Sequence, residues 1–179
     1  MAVAAVLLSF SLIALSLMTA GVQAKALKLS FEYISGALIV VDPGISWESD
    51  GIVHYRGVVA IQTAVVVDTD CDLTFSGDLY FVLNMNYFIK TGERTGWGTW
   101  SKDGIFFKKD GDGWQPYLTG SVEGTFNMFR TICGQVGEGG AKGVGWGTEG
   151  ELVGCKIERF SYYVPEGLVF GGTLLRPKG

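Results

Sequence analysis

The chain has 179 residues, with 27 glycines, 4 prolines, 13% aromatic side chains and a formal net charge of −4. That balance leaves no basic stripe for a nucleic-acid backbone, and the aromatic content excludes a disordered polar chain. One domain accommodates the length, and glycine beside abundant Val, Phe, Tyr and Trp predicts short strands joined by turns rather than helices.

Met1 to Ala24 carries no charged side chain and is dominated by Ala, Val, Leu, Ile and Met. Val22-Gln23-Ala24 sets small residues where a signal peptidase reads, so a cut before Lys25 is expected, leaving residues 25–179 as a secreted or extracytoplasmic domain. No Lys or Arg precedes the apolar run, and its length is close to the roughly 20 residues that span a bilayer. The alternative is therefore an anchor retained over residues 3–22. Membrane contact is expected only through such an uncleaved leader.

After the leader the patterning is that of strands. Lys28 to Ile34 alternates, Ala37 to Val41 is a short apolar run, and Asp42-Pro43-Gly44 is a turn. An extended stretch runs from Gly51 to Val67, followed by turn residues from Asp68 to Asp72. Leu73, Phe75, Leu79, Phe81, Leu83, Met85 and Tyr87 then share odd positions, predicting a long strand that bends at Gly77. Further strands are expected at Trp97–Ser101, Gly104–Lys108, Tyr117–Phe126, Glu151–Tyr163 and Leu168–Leu175, with a hairpin at Asp110-Gly111-Asp112-Gly113. Gly134 to Gly150 holds eight glycines and reads as a loop or a heavily kinked strand pair. The expected fold is all-β: a closed antiparallel barrel of about eight strands, with a β-sandwich as the alternative.

The succession Gly96-Trp97-Gly98-Thr99-Trp100, Leu118-Thr119-Gly120, Gly124-Thr125-Phe126 and Lys142-Gly143-Val144-Gly145-Trp146-Gly147-Thr148 resembles a group of exported, Gly-rich prokaryotic β-proteins. It also loosely resembles the allene oxide cyclase-like and dirigent-like barrels. The resemblance spans roughly Gly51 to Pro177 and implies an eight-stranded barrel with a small-molecule cavity. It carries over no catalytic residue.

His54 is the only histidine, and no G-x-S-x-G elbow supplies a serine nucleophile for it. His54 and Arg56 share one strand parity, so they either face solvent or, if the polar face lines the interior, point into a cavity. Trp97 and Trp146 are each flanked by glycines, which suits either stacking on an apolar or sugar-like ligand or packing in the core, and Trp100 stands in the same Gly-rich stretch as Trp97. These five residues are the candidate ligand contacts. Glu149, Glu151 and Glu158 could serve glycoside chemistry or form a solvated face. Asp68, Asp70, Asp72, Asp110 and Asp112 could ligate calcium, but ordinary turn chemistry accounts for them. Cys71, Cys133 and Cys155 match no zinc spacing, so no metal or other cofactor is expected. In an oxidising compartment one disulfide is plausible, with Cys133–Cys155 preferred beside the Gly-rich bend. Three small buried hydrophobes are the alternative. The expected function is binding of a small apolar or sugar-like ligand or a surface partner without catalysis. The alternatives are a cyclase- or isomerase-like enzyme and a structural envelope protein with a filled interior.

Overall fold

The computed structural model describes residues 26–132, 140–164 and 167–177. The expected leader and Cys133 lie outside the described residues. The strands are β1 (Leu27–Ser35), β2 (Ile39–Asp42), β3 (Ile45–Ser49), β4 (Ile52–Val65) and β5 (Leu73–Phe88). They continue with β6 (Glu93–Asp110), β7 (Gly113–Ile132), β8 (Gly140–Gly147), β9 (Lys156–Val164) and β10 (Gly167–Arg176). A short 3₁₀ turn stands at Gly150–Leu152.

Chain neighbours from β4 to β10 pair antiparallel, β10 pairs with β1, and β1 returns to β4 through Ile34↔Val65 and Ser35↔Ala64. Eight strands thus form a ring. β2 and β3 complete the same edge of β4 that β1 touches only at its C-terminal end. The all-β, antiparallel expectation is met.

Alternation sorts side chains to the two faces of this ring. One half is filled: Phe31, Leu73, Phe75, Phe106, Leu118, Ile157 and Leu174 are almost wholly buried, and Leu152 of the 3₁₀ turn is buried among them. Their rings meet edge-on or tilted, as Phe31 and Phe106 do at 5.5 Å and Phe75 and Phe106 at 5.2 Å. Between the halves lies Trp100, whose Nε1 donates to the Thr125 carbonyl at 3.1 Å. Its indole rests on glycines of β7 and β8. A Cβ on Gly145 would stand 2.6 Å from Trp100 Cζ2, and one on Gly124 would stand 2.8 Å from its Cε2. Much of the glycine in β7 and β8 is therefore room for one tryptophan.

Several elements differ from the sequence reading. Residues 93–110 form one strand, because Lys102 and Asp103 continue the ladder to β5 and β7 instead of breaking it. The Gly-rich segment contains a true strand, β8, paired on both sides. β3 was not expected; it forms a hairpin with β4 through Asp50 and Gly51, both at positive φ (53° and 74°), as a two-residue turn of this hand requires. β9 begins at Lys156, since Gly150–Leu152 turns instead of extending. Gly77 lies inside β5 at φ 146°. The Asp110–Gly113 hairpin is where the sequence placed it, with Gly111 at φ 59°.

The Cys133–Cys155 disulfide is not formed. Cys155 is a buried free thiol beyond the Gly147 end of β8, the opposite end from Gly140, and Cys71 is also free. Burial pushes the Cys155 thiol above its usual range, with Arg176 opposing.

Candidate functional site

The second half of the ring is hollow. A cavity of about 930 Å³ lies there, walled by apolar side chains that include Val58, Leu83, Met85, Phe126, Met128 and Phe170. It reaches the edge where β1 leaves β4, and its rim is the segment Gly36 to Pro43. Leu38 and Val40 on that rim are exposed, at 43% and 51%. Polar groups are few: Gln62 donates to the Gly36 carbonyl at 3.1 Å, and Ser161 Oγ accepts the Ala141 N–H at 3.1 Å. The charged residues lining the cavity are Arg94, Lys142 and Arg159, with no Asp or Glu among the described lining residues.

Arg159 is buried, and its guanidinium carbon lies over the rings of Phe170 at 4.4 Å, Trp100 at 4.8 Å and Phe81 at 5.5 Å. Its Nη1 is buried and has no hydrogen-bond partner among the described residues. Burial lowers the Arg159 pKa and the Tyr33 hydroxyl opposes that shift; burial likewise raises the Tyr33 pKa, with Arg159 opposing.

Lys102 also points inward but is not part of the cavity wall. Its Nζ lies 4.0 Å from the ring centroids of Phe75 and Phe106, 5.2 Å from Phe31 and 5.7 Å from Tyr33. Desolvation in this aromatic enclosure, and then the nearby Arg159 charge, hold its amine well below the ordinary lysine pKa.

The sequence candidates divide between the two faces. Trp100 is inside, as described. His54 and Arg56 face outward with Trp97 and Trp47. The Trp47 and His54 rings stack at 4.9 Å, and the Arg56 guanidinium lies between Trp47 (5.3 Å) and Trp97 (4.9 Å). Asn86 Oδ1 joins this cluster, 2.9 Å from His54 Nδ1 and accepting from Arg56 Nη2 at 3.0 Å. The register shift between Tyr55 and Val58, with Gly57 at φ 68°, reverses the facing of β4. Val59 and Ile61, which share parity with Tyr55, are thereby turned away from the interior that Val58, Ala60 and Gln62 face. Trp146 is also outward and 53% exposed, opposite Glu123 and Lys156, on another part of the surface.

Four of the remaining carboxylate candidates are engaged locally. Glu151 accepts the Thr119 N–H at 2.9 Å, Glu149 accepts from Ser121 at 3.3 Å and Glu158 pairs with Lys156 at 2.7 Å. Asp68 pairs with Lys109 at 3.3 Å. Among the described residues no group of three His, Cys, Asp or Glu side chains could hold a metal.

Sequence reading missed Lys102 and Arg159. Lys102 shares parity with Trp100 and Phe106, so an unbroken β6 would have revealed an inward cation. β9 mixes polar and apolar residues on both parities and gives no such signal. Comparison with family models, curated proteins and solved structures finds no match.

Proposed function

We propose that this chain is an exported protein whose eight-stranded ring is a closed β-barrel that holds a small, largely apolar ligand in its hollow half, without catalysis. The observation that carries this reading is the cavity of about 930 Å³, within the range of roughly 300–1,000 Å³ typical of small-molecule sites. Its apolar wall would be costly to leave wet, and it opens beside an exposed apolar rim. The eight-stranded ring also agrees with the strand number of the barrels that the sequence resembles. The groups weighed for acid–base work, His54 and the three glutamates, stand outside the cavity lining.

The test is titration with N-phenyl-1-naphthylamine, an uncharged apolar fluorophore. One molecule is expected per chain, and Leu83→Trp, which fills the cavity from its wall, should abolish binding while the chain stays folded. Binding unchanged by L83W would place the probe elsewhere and remove this reading. Export is tested by the mass of the protein recovered outside the cell, expected to begin at Lys25.

A second reading, a surface partner, is favoured by the outward Trp47–Arg56–Trp97 stack, whose two indoles are each 45% exposed. Trp97→Ala would weaken such a partner and leave the fluorophore titration unchanged.

A further inference from the structure

We infer that the ligand of the hollow half carries an anionic head, a carboxylate, which is received by Arg159 on the inner wall while the apolar body runs outward to the Leu38–Val40 rim. This rests on the reading of the cavity as a ligand site and adds the chemistry of its occupant.

Three observations lead there. The charged side chains in the described cavity lining are Arg94, Lys142 and Arg159, with no carboxylate among them. A buried cation on a low-dielectric wall attracts counter-charge. Arg159 itself is 8% exposed, its Nη1 lacks a partner among the described residues, and three aromatic rings surround its guanidinium. Guanidinium does not shed its proton in proteins, so this charge cannot be removed by titration, and an anion entering the cavity would pair it. A carboxylate fits best, because its two oxygens match the planar fork. Ser161, which also borders the cavity, uses its oxygen to accept the Ala141 N–H and keeps its hydroxyl proton for a second bond to the head.

The orientation follows from depth. Arg159 contacts Trp100, the ring that divides the two halves, whereas Leu38 and Val40 are exposed at the edge. A head-inward amphiphile places its charge on the one and its apolar end on the other. A molecule bound the opposite way would put its charge on exposed leucine and valine and leave Arg159 facing hydrocarbon.

The experiment compares dodecanoate with dodecan-1-ol, which has the same chain length and no charge. Calorimetry and Trp fluorescence would be followed on the full chain at about pH 8, well above the ordinary carboxylate pKa of about 4. N-phenyl-1-naphthylamine displacement serves as the control for an open cavity. Dodecanoate is expected to bind about tenfold to a hundredfold more tightly than the alcohol, the scale of a charge-assisted hydrogen bond. Arg159→Met should bring the two ligands to similar affinity while the neutral fluorophore still binds. Arg159→Lys, which keeps the charge and loses the fork, should retain part of the preference and covers the case in which R159M does not fold. Arg94→Met should leave most of it.

Equal binding of acid and alcohol to the unmodified chain would overturn the anionic head and leave the cavity reading intact. A preference that survives R159M and disappears in R94M would overturn Arg159 as the receptor. Failure of the fluorophore as well as both dodecyl ligands would remove the cavity reading, and this inference with it.

Discussion

Lys102 and Arg159 both project into the ring, but Lys102 is enclosed by four aromatic rings in the filled half whereas Arg159 borders the cavity in the hollow half. Their chemistry suits those places differently. An ammonium that loses its proton becomes a neutral amine that an aromatic enclosure tolerates, and burial has moved Lys102 in that direction. A guanidinium has no such release. The filled half can thus settle its cation by titration, while the hollow half keeps a permanent charge beside empty space. The difference teaches that the filled half is organised for stability, and under the proposed function the hollow half is organised for an occupant.

The strongest way to break this division is to cut one large side chain from each half. Phe106→Ala removes a wholly buried ring that packs on Phe31 and Phe75, and should cost about 3–5 kcal/mol in urea unfolding. Met128→Ala removes a side chain that already borders a void and has fewer neighbours to lose, so about 1 kcal/mol is expected. Equal costs would mean that the two halves are packed alike.

Lys102→Met sharpens the contrast between the cations. The unfolded Lys102 titrates near 10.5 and the folded one well below. Between those two values the unfolded chain holds the extra proton, so wild-type stability rises with pH, by about 1.4 kcal/mol per unit for this group alone. Methionine does not titrate. The stability advantage of K102M should therefore be largest at the low end of that window and shrink as pH approaches 10.5. Urea unfolding of both proteins from about pH 7 to about pH 9.5, the alkaline part of the lysine range, would show it. Parallel profiles would mean that Lys102 keeps its proton when folded. Arg159→Met should show no such slope, because Arg159 carries its charge in both states.

The partition between the halves itself depends on Trp100 and its glycine bed. Gly145→Ala puts a methyl 2.6 Å from Trp100 Cζ2 and 2.7 Å from the Glu123 carbonyl. Overpacking of this kind costs about 1–3 kcal/mol. A smaller effect, with Trp fluorescence altered, would show that the indole can move into the cavity.

How much of this was legible in the sequence follows from what each element must do. β5 declared itself, because one face is apolar at nearly every odd position from Leu73 to Tyr87. The Asp110–Gly113 hairpin did so through turn chemistry that is local to four residues. β6 did not, since Lys102-Asp103 inside it looks like a break until Phe31 and Tyr33 of β1, Phe75 of β5 and Phe106 of β6 itself surround the lysine. The facing of β4 was hidden by one bulge at Gly57, which exchanges inside and outside for everything after it. Of the five candidate contacts, Trp100 faces inward, His54, Arg56 and Trp97 meet on the outer face, a meeting that strand parity did not indicate, and Trp146 lies elsewhere outside. Arg159 was invisible because β9 mixes polar and apolar residues on both parities, so nothing in the chain marks it as inward.

The smallest expected effect concerns how the filled end is tied. The Asp72 carboxylate accepts from both the Ser30 N–H and the Ser30 hydroxyl at 2.7 Å, joining the link before β5 to β1, beside the parallel contact Phe31↔Leu73. Those bonds hold its pKa below the usual carboxylate value, with Lys108 contributing. A depressed acid stabilises the fold above its unfolded pKa, near 3.8, and the contribution is lost as pH falls through the folded value. Because Asp72 is exposed, Asp72→Asn should cost only about 0.5–1 kcal/mol at neutral pH. The cost should fade in acid, where the wild-type carboxyl is itself protonated. A carboxyl NMR titration of Asp72 beside unfolding curves at neutral and acid pH would test both statements. A loss independent of pH would assign the tie to the shape of the side chain instead of its charge. No loss at all would mean that the aromatic packing behind Phe31 closes this end of the ring unaided.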